Sequence, residues 1–195
     1  MYASKVGNYQ ADCPVLLGRF GMFSEYVKEF AESLSEGLRG LDLGTGPSGC
    51  AGKYFTKQIL DGCDVEPEVV DSLGKEYNET FIYRLGSEMN LPYGNEELDF
   101  VVCSCVIQHL GGEEELKRAF DEVYRVLKKG GLFYLMFKSG SNNTLLTHFN
   151  SYYGEERTFR VFEADKLKFQ GEVVSQENLL DSNYIPYTKI IYRKV

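Results

Sequence analysis

Apolar residues recur at Phe23, Val27, Phe30 and Leu34, in steps of four, three and four, which lays one buried stripe along an N-terminal helix. The period then shortens. Leu41-Asp42-Leu43 reads as a short strand running into glycines, residues 49–57 as a helix, and residues 59–65 as a second strand. A further helix opens at Pro67, because the first-turn N–H that proline lacks has no intrahelical partner. Residues 80–86 and 98–107 read as strands, the latter apolar on both faces like the buried centre of a parallel sheet. In the clearest helix, Leu116, Ala119, Phe120, Val123, Val126 and Leu127 mark the buried face, with Glu114–Arg118 and Asp121–Arg125 as i,i+4 pairs outside. Gly130-Gly131 is expected to end it, before an apolar strand from Leu132 to Phe137. Residues 139–158 are polar enough for a long surface excursion, and residues 172–180 and 187–193 predict an antiparallel strand pair. Strands alternating with helices predict an α/β fold with helices on both faces of a mostly parallel sheet.

Composition narrows the class. The 195 residues suit one domain, residues 1–195, too short for a cofactor domain plus a separate substrate domain. With 43% hydrophobic and 26% charged residues the chain is globular in type, and neither a membrane span nor a signal peptide is legible. The expectation is a cytoplasmic protein. A formal net charge of −8 argues against generic nucleic-acid binding, which draws on Lys and Arg displacing counterions. The five cysteines (Cys13, Cys50, Cys63, Cys103, Cys105) include no CxxC pair. Cys103 and Cys105, two apart on a predicted strand, are expected on one face as reduced core thiols, and no metal site is expected.

Candidate chemistry begins at Leu41-Asp42-Leu43-Gly44-Thr45-Gly46-Pro47-Ser48-Gly49, where the first strand turns toward a helix. Glycines there let a ligand approach the backbone more closely than a Cβ permits. Gly44-x-Gly46-x-x-Gly49 also fits the dinucleotide fingerprint, with Asp64 20 residues beyond Gly44 as the ribose acid of an NAD enzyme. Asp42 points elsewhere: a carboxylate two residues before the first glycine suits a ligand carrying positive charge, such as S-adenosyl-L-methionine.

The ordered series LDLGTGPSG, CDVEP, GSEMNLPY, LDFVVCSCVIQHL and RVLKKGG resembles the class I S-adenosylmethionine-dependent methyltransferases, in particular the small enzymes like those of quinone biosynthesis. The resemblance covers residues 38–140. It implies a seven-stranded Rossmann-like sheet, with residues 1–37 a helical cap, residues 38–140 the cofactor core and residues 141–195 the acceptor side and terminal strand pair. It also implies that Gly44 and Gly46 form the platform beneath the methionine part, with Asp42 as the nearby acid. Asp64 accepts the two ribose hydroxyls, and the backbone around Ser104 faces the ammonium. Ser87 stands where the family commonly has an aspartate for the adenine amino group, leaving Glu88 or Met89 to serve that end. Ser48 replaces the loop's third glycine.

Methyl transfer from a sulfonium needs alignment more than a protein nucleophile. The asparagine-proline-proline-aromatic signature of amide and base-amino methylation is absent at Cys103-Ser104-Cys105-Val106. The histidines are His109 and His148, the former read more readily as a loop-orienting residue than as a base. Phe149, Tyr152, Tyr153, Arg157, Phe159 and Arg160 suit either a lid over a planar or anionic acceptor or ordinary packing. With the N-terminal segment around Tyr9 and Arg19, residues 142–162 are expected to cover the acceptor. The expected activity is methylation of an oxygen, nitrogen or carbon of a small molecule. A protein or RNA acceptor, a non-catalytic cofactor-binding subunit and, last, a dehydrogenase stay open.

Overall fold

The computed structural model describes residues 14–46, 51–141, 144–150, 155–181 and 184–195. Helix α1 (Pro14–Ser33) leads into strand β1 (Arg39–Leu43), followed by β2 (Ile59–Asp64), helix α2 (Pro67–Ser72), β3 (Thr80–Ile82) and β4 (Leu98–Ser104). Helix α3 (Glu113–Val126) precedes β5 (Leu127–Lys138), a hairpin of β6 (Thr144–Asn150) and β7 (Glu155–Val161), and the closing strands β8 (Gly171–Leu180) and β9 (Pro186–Lys194). The main sheet has seven strands in the order β3-β2-β1-β4-β5-β9-β8. Its first five are mutually parallel, and β9 enters antiparallel between β5 and β8. This is the α/β fold the alternating pattern predicts, in the Rossmann-like form the resemblance implies. Among the described residues, no helix is long and apolar enough to cross a membrane.

Alternation along the central strands sends side chains to two cores. Val101, Cys103, Phe133, Leu135 and Phe137 join the α3 residues Leu116, Ala119, Phe120 and Val123 on one face. Phe100, Val102, Tyr134 and Met136 meet Val27, Phe30 and Ala31 of α1 on the other. The N-terminal stripe therefore seats as expected, with the Phe30 ring 5.2 Å from that of Tyr134. The side chains of Arg19 and Phe23 lie outside the described residues.

Several local expectations are corrected. In place of a helix over 49–57, the described part holds one 3-10 turn, Gly52–Tyr54. Glycine and the bulky, branched run Tyr54-Phe55-Thr56 weaken helix formation, and Phe55 is drawn instead into a stack on Phe100, centroids 5.2 Å apart. β3 is shorter than residues 80–86, and β4 stops at Ser104. Cys105 takes a positive φ of 61°, which swings it out of strand alternation. Cys103 accordingly packs in the α3 core while Cys105 rests against the α1 core. Helix α3 ends at Val126, before the glycines, because Leu127 already pairs with Leu98. The expected pairs give way to Lys117–Asp121 and Glu122–Arg125, while Arg118 Nε donates to the Gly86 carbonyl at 2.9 Å. The surface excursion is built as the β6–β7 hairpin.

Candidate functional site

The order of strands reverses between β1 and β4, and open α/β sheets bind ligands at such a switch, beyond the carboxyl ends of the strands. The chain leaves β1 there. Gly44 (φ 84°) and Gly46 (φ 63°) both occupy the left-handed region, open to glycine without strain. A Cβ on Gly44 would lie 2.4 Å from Val106 Cγ2, so glycine is also required for the close approach of the two loops. The N–H groups of Gly44 and Thr45 donate to the Cys63 carbonyl at 2.9 and 3.0 Å, tying the turn to β2.

Two carboxylates flank this turn in the chain, Asp42 just before it and Asp64 bonded to it. Asp64, at the end of β2, accepts the Gly46 N–H on Oδ2 at 2.9 Å and the Glu66 N–H on Oδ1 at 3.1 Å. Each oxygen keeps a lone pair for a further donor, so the predicted capacity to take a vicinal diol survives these bonds. Asp42 is buried, and its pKa is pushed up to about 7 by loss of solvent and by the Asp64 charge, against the opposing hydrogen bond from Tyr77. That bond, Tyr77 Oη to Asp42 Oδ2 at 2.7 Å, was not foreseeable from the glycine motif.

The remaining predicted residues sit on neighbouring loops. Ser87 is half-buried, and its Oγ accepts the Met89 N–H at 3.3 Å, whereas Glu88 and Met89 are exposed. Tyr83 Oη donates to the Met89 carbonyl at 3.3 Å. Helix α3 pins this loop: Glu122 accepts the Leu91 N–H at 2.6 Å, and Arg125 Nη1 donates to the Tyr93 carbonyl at 2.9 Å. Ser104 ends β4, and the next N–H, that of Cys105, donates to the Met136 carbonyl at 2.8 Å. Asp42, Gly44, Gly46, Asp64 and Ser104 are thus brought to one end of the sheet, with Ser87, Glu88 and Met89 on the loop after β3.

His109 lies in the turn Ile107–His109, exposed on one side and with its ring 5.3 Å from Phe159. Desolvation, then the nearby Lys138 charge, lower its pKa. Arg160 Nη2 donates to the Gly111 carbonyl at 2.8 Å and Nε to that of Leu110 at 3.4 Å. The Lys138 ammonium lies 4.6 Å from the centre of the Phe159 ring. These contacts fasten β7 over the turn that follows β4. Tyr9, Ser48, Gly49, Tyr152 and Tyr153 lie outside the described residues, as do the side chains of His148, Phe149 and Arg157. Among the described residues no group of three or more potential metal ligands assembles.

Residues 41–135 match the family model described as Methyltransferase domain. The fold, the motif order and this match agree. Residues 41–135, just under half of the chain, are thus similar to a methyltransferase domain. A tRNA (carboxymethyluridine(34)-5-O)-methyltransferase of Arabidopsis thaliana is 32% identical over 108 residues, 54% of this chain and 25% of that protein. An arsenite methyltransferase of Halobacterium salinarum is 33% identical over 112 residues, 53% of this chain and 28% of that protein. The chain thus aligns with little more than a quarter of either relative's length, 25% and 28%. Among solved structures, a 1,6-didemethyltoxoflavin-N1-methyltransferase of Burkholderia thailandensis, with bound S-adenosylhomocysteine, superposes with a TM-score of 0.67 at 14% identity. That match covers 100% of this chain and 87% of the other.

The cofactor implied by the methyltransferase domain is S-adenosyl-L-methionine. The residues present fit it. A Cβ on Gly46 would meet none of the described residues within 4 Å, so among them the turn faces open space beside Asp64. Thr45 Oγ1, in the same turn, is buried with no hydrogen-bond partner among the described residues, a polar group that a ligand could satisfy.

Proposed function

We propose that the chain is an S-adenosylmethionine-dependent methyltransferase acting on an oxygen, nitrogen or carbon of a small molecule. The observation that carries the reading is a positive-φ glycine turn, at the point where the strand order reverses, whose Gly46 N–H is held by Asp64 and which Asp42 precedes by two residues, close enough to Asp64 to feel its charge. Asp42 serves the cationic end of the cofactor, Gly44 and Gly46 its methionine backbone, and Asp64 the ribose hydroxyls. Ser104 faces the ammonium through its backbone, and Ser87, Glu88 and Met89 border the adenine. Bound there, the cofactor supplies a methyl group on a sulfonium that is already a good leaving group.

The chain's own work is to align the acceptor and keep water out. The β6–β7 hairpin rises from the carboxyl end of β5 and is anchored over residues 107–111, which supports its role as the acceptor-side cover. Burial and the Lys138 charge lower the His109 pKa and so favour the neutral imidazole, the form that can accept a proton. The small-molecule reading rests on charge: a chain of −8 attracts polyanions poorly, and Arg160 is already engaged with backbone carbonyls.

The test is methyl-labelled cofactor offered with hydroxyl, amine and activated-carbon small molecules alongside bulk tRNA and protein. Label is expected in a small-molecule fraction. Label confined to the tRNA or protein fraction would overturn the acceptor class.

A further inference from the structure

The acid in the glycine turn has a partner that no local spacing reveals. Tyr77 lies 35 residues beyond Asp42, in the segment between α2 and β3. Two backbone bonds zip that segment alongside β2: Asn78 N–H to the Leu60 carbonyl and Gly62 N–H to the Glu79 carbonyl, both 2.8 Å. The Tyr77 ring then lies in a slot bounded by two glycines. A Cβ on Gly62 would approach its Cδ1 to 2.7 Å, and one on Gly52 its Cε2 to 2.9 Å. Both positions must lack a side chain for the ring to enter. Once in place, its hydroxyl donates to Asp42 Oδ2 at 2.7 Å and accepts the Gly52 N–H at 3.2 Å. One phenol therefore links the acid to the 3-10 turn that stands where a helix is expected after the glycine loop.

We propose that Tyr77 is the positioning residue for the cofactor acid: it holds one Asp42 oxygen and favours the carboxylate, leaving the other oxygen for the cofactor's positive end. This rests on the reading of Asp42 given above. The titratable groups near Asp42 are Asp64 and Cys63 of β2, Cys103 of β4 and Tyr77 itself. Of these, Tyr77 opposes the rise produced by burial, while the Asp64 charge adds to it. Without the phenol hydroxyl the carboxylate forms only at higher pH, so a cationic ligand is bound less well in neutral solution. At sufficiently alkaline pH the two proteins converge.

The experiment is calorimetric titration of S-adenosylhomocysteine, which is not consumed, into wild type, Tyr77→Phe and Asp42→Asn between pH 6.5 and 8.5. The ligand's own ammonium titrates identically in every series and cancels in the ratio of affinities. Tyr77→Phe keeps the ring in its slot, and a thermal midpoint on each sample confirms the fold. Its affinity is expected to fall roughly tenfold below wild type at pH 6.5, about one unit of pKa, and to come within about twofold at pH 8.5. A ratio that stays constant across the range, at unity or at any other value, contradicts the positioning role and leaves Tyr77 as packing. The Asp42→Asn series separates the underlying reading. Loss of the wild-type pH dependence upholds Asp42 as the cofactor acid, whereas an Asp42→Asn variant that keeps the wild-type profile overturns that assignment directly. Gly62→Ala, which displaces the ring while keeping the hydroxyl, provides the second variant and is expected to shift the profile in the same direction as Tyr77→Phe.

Discussion

Asp42 is charged at the expense of the cofactor-free fold. Its pKa rises from 3.8 to about 7 in the folded protein, chiefly through burial. Between those values the folded chain holds a proton that the unfolded chain has released, so the group favours the native state in acid, and this contribution is lost as pH rises through about 7. Asp42→Asn is therefore expected to stabilise the cofactor-free protein by on the order of 2 kcal/mol at pH 8, with little gain near pH 4. Urea unfolding at the two pH values measures it, and equal stabilisation at both would contradict an ionised Asp42. At this scale the sequence showed the acids and the glycines because they fall within β1, the loop that leaves it and the next strand. Tyr77 escaped because its partners are 35 and 25 positions away. Val106 escaped likewise, since its closeness to Gly44 exists only after β1 and β4 pair.

At the scale of elements, those with one strong period were legible. Helix α3 shows five of its six predicted apolar positions buried within it, and the sixth, Leu127, begins β5. Elements decided by contacts elsewhere were not. The segment after the glycine loop is pulled by Phe55 stacking and Gly52 packing into a single turn, and the polar excursion after β5 pairs with itself. The hairpin is a two-stranded sheet apart from the main one, and its contacts with the core include Phe159 on His109 and Lys138 and Arg160 on the 110–111 carbonyls. Such an element opens locally at less free energy than the global fold. Phe159→Ala is expected to speed amide exchange across residues 144–161 while leaving exchange in β1 and β4, and affinity for S-adenosylhomocysteine, near wild type. Hydrogen exchange resolved by segment decides it. Unchanged protection of the hairpin would show that the ring does not anchor it.

Across the whole molecule, seven strands and two packed faces place all the cofactor candidates at one end of the sheet. The terminal antiparallel pair that the tail's alternation predicts completes that sheet, with β9 inserted beside β5. A glycine turn after the first strand is compatible with a dinucleotide, and on the proposed reading what separates the two ligands is the buried Asp42 two residues before the first glycine, whose carboxylate favours a cation over a pyrophosphate. The most direct measurement is calorimetric titration of the wild-type chain at pH 8 with S-adenosylhomocysteine and, separately, with NAD. Saturable binding of S-adenosylhomocysteine is expected, with none of NAD, and Asp64→Ala should weaken it by about 1.5–3 kcal/mol as a charge-assisted bond is lost. Tight binding of NAD with no response to S-adenosylhomocysteine would contradict the account.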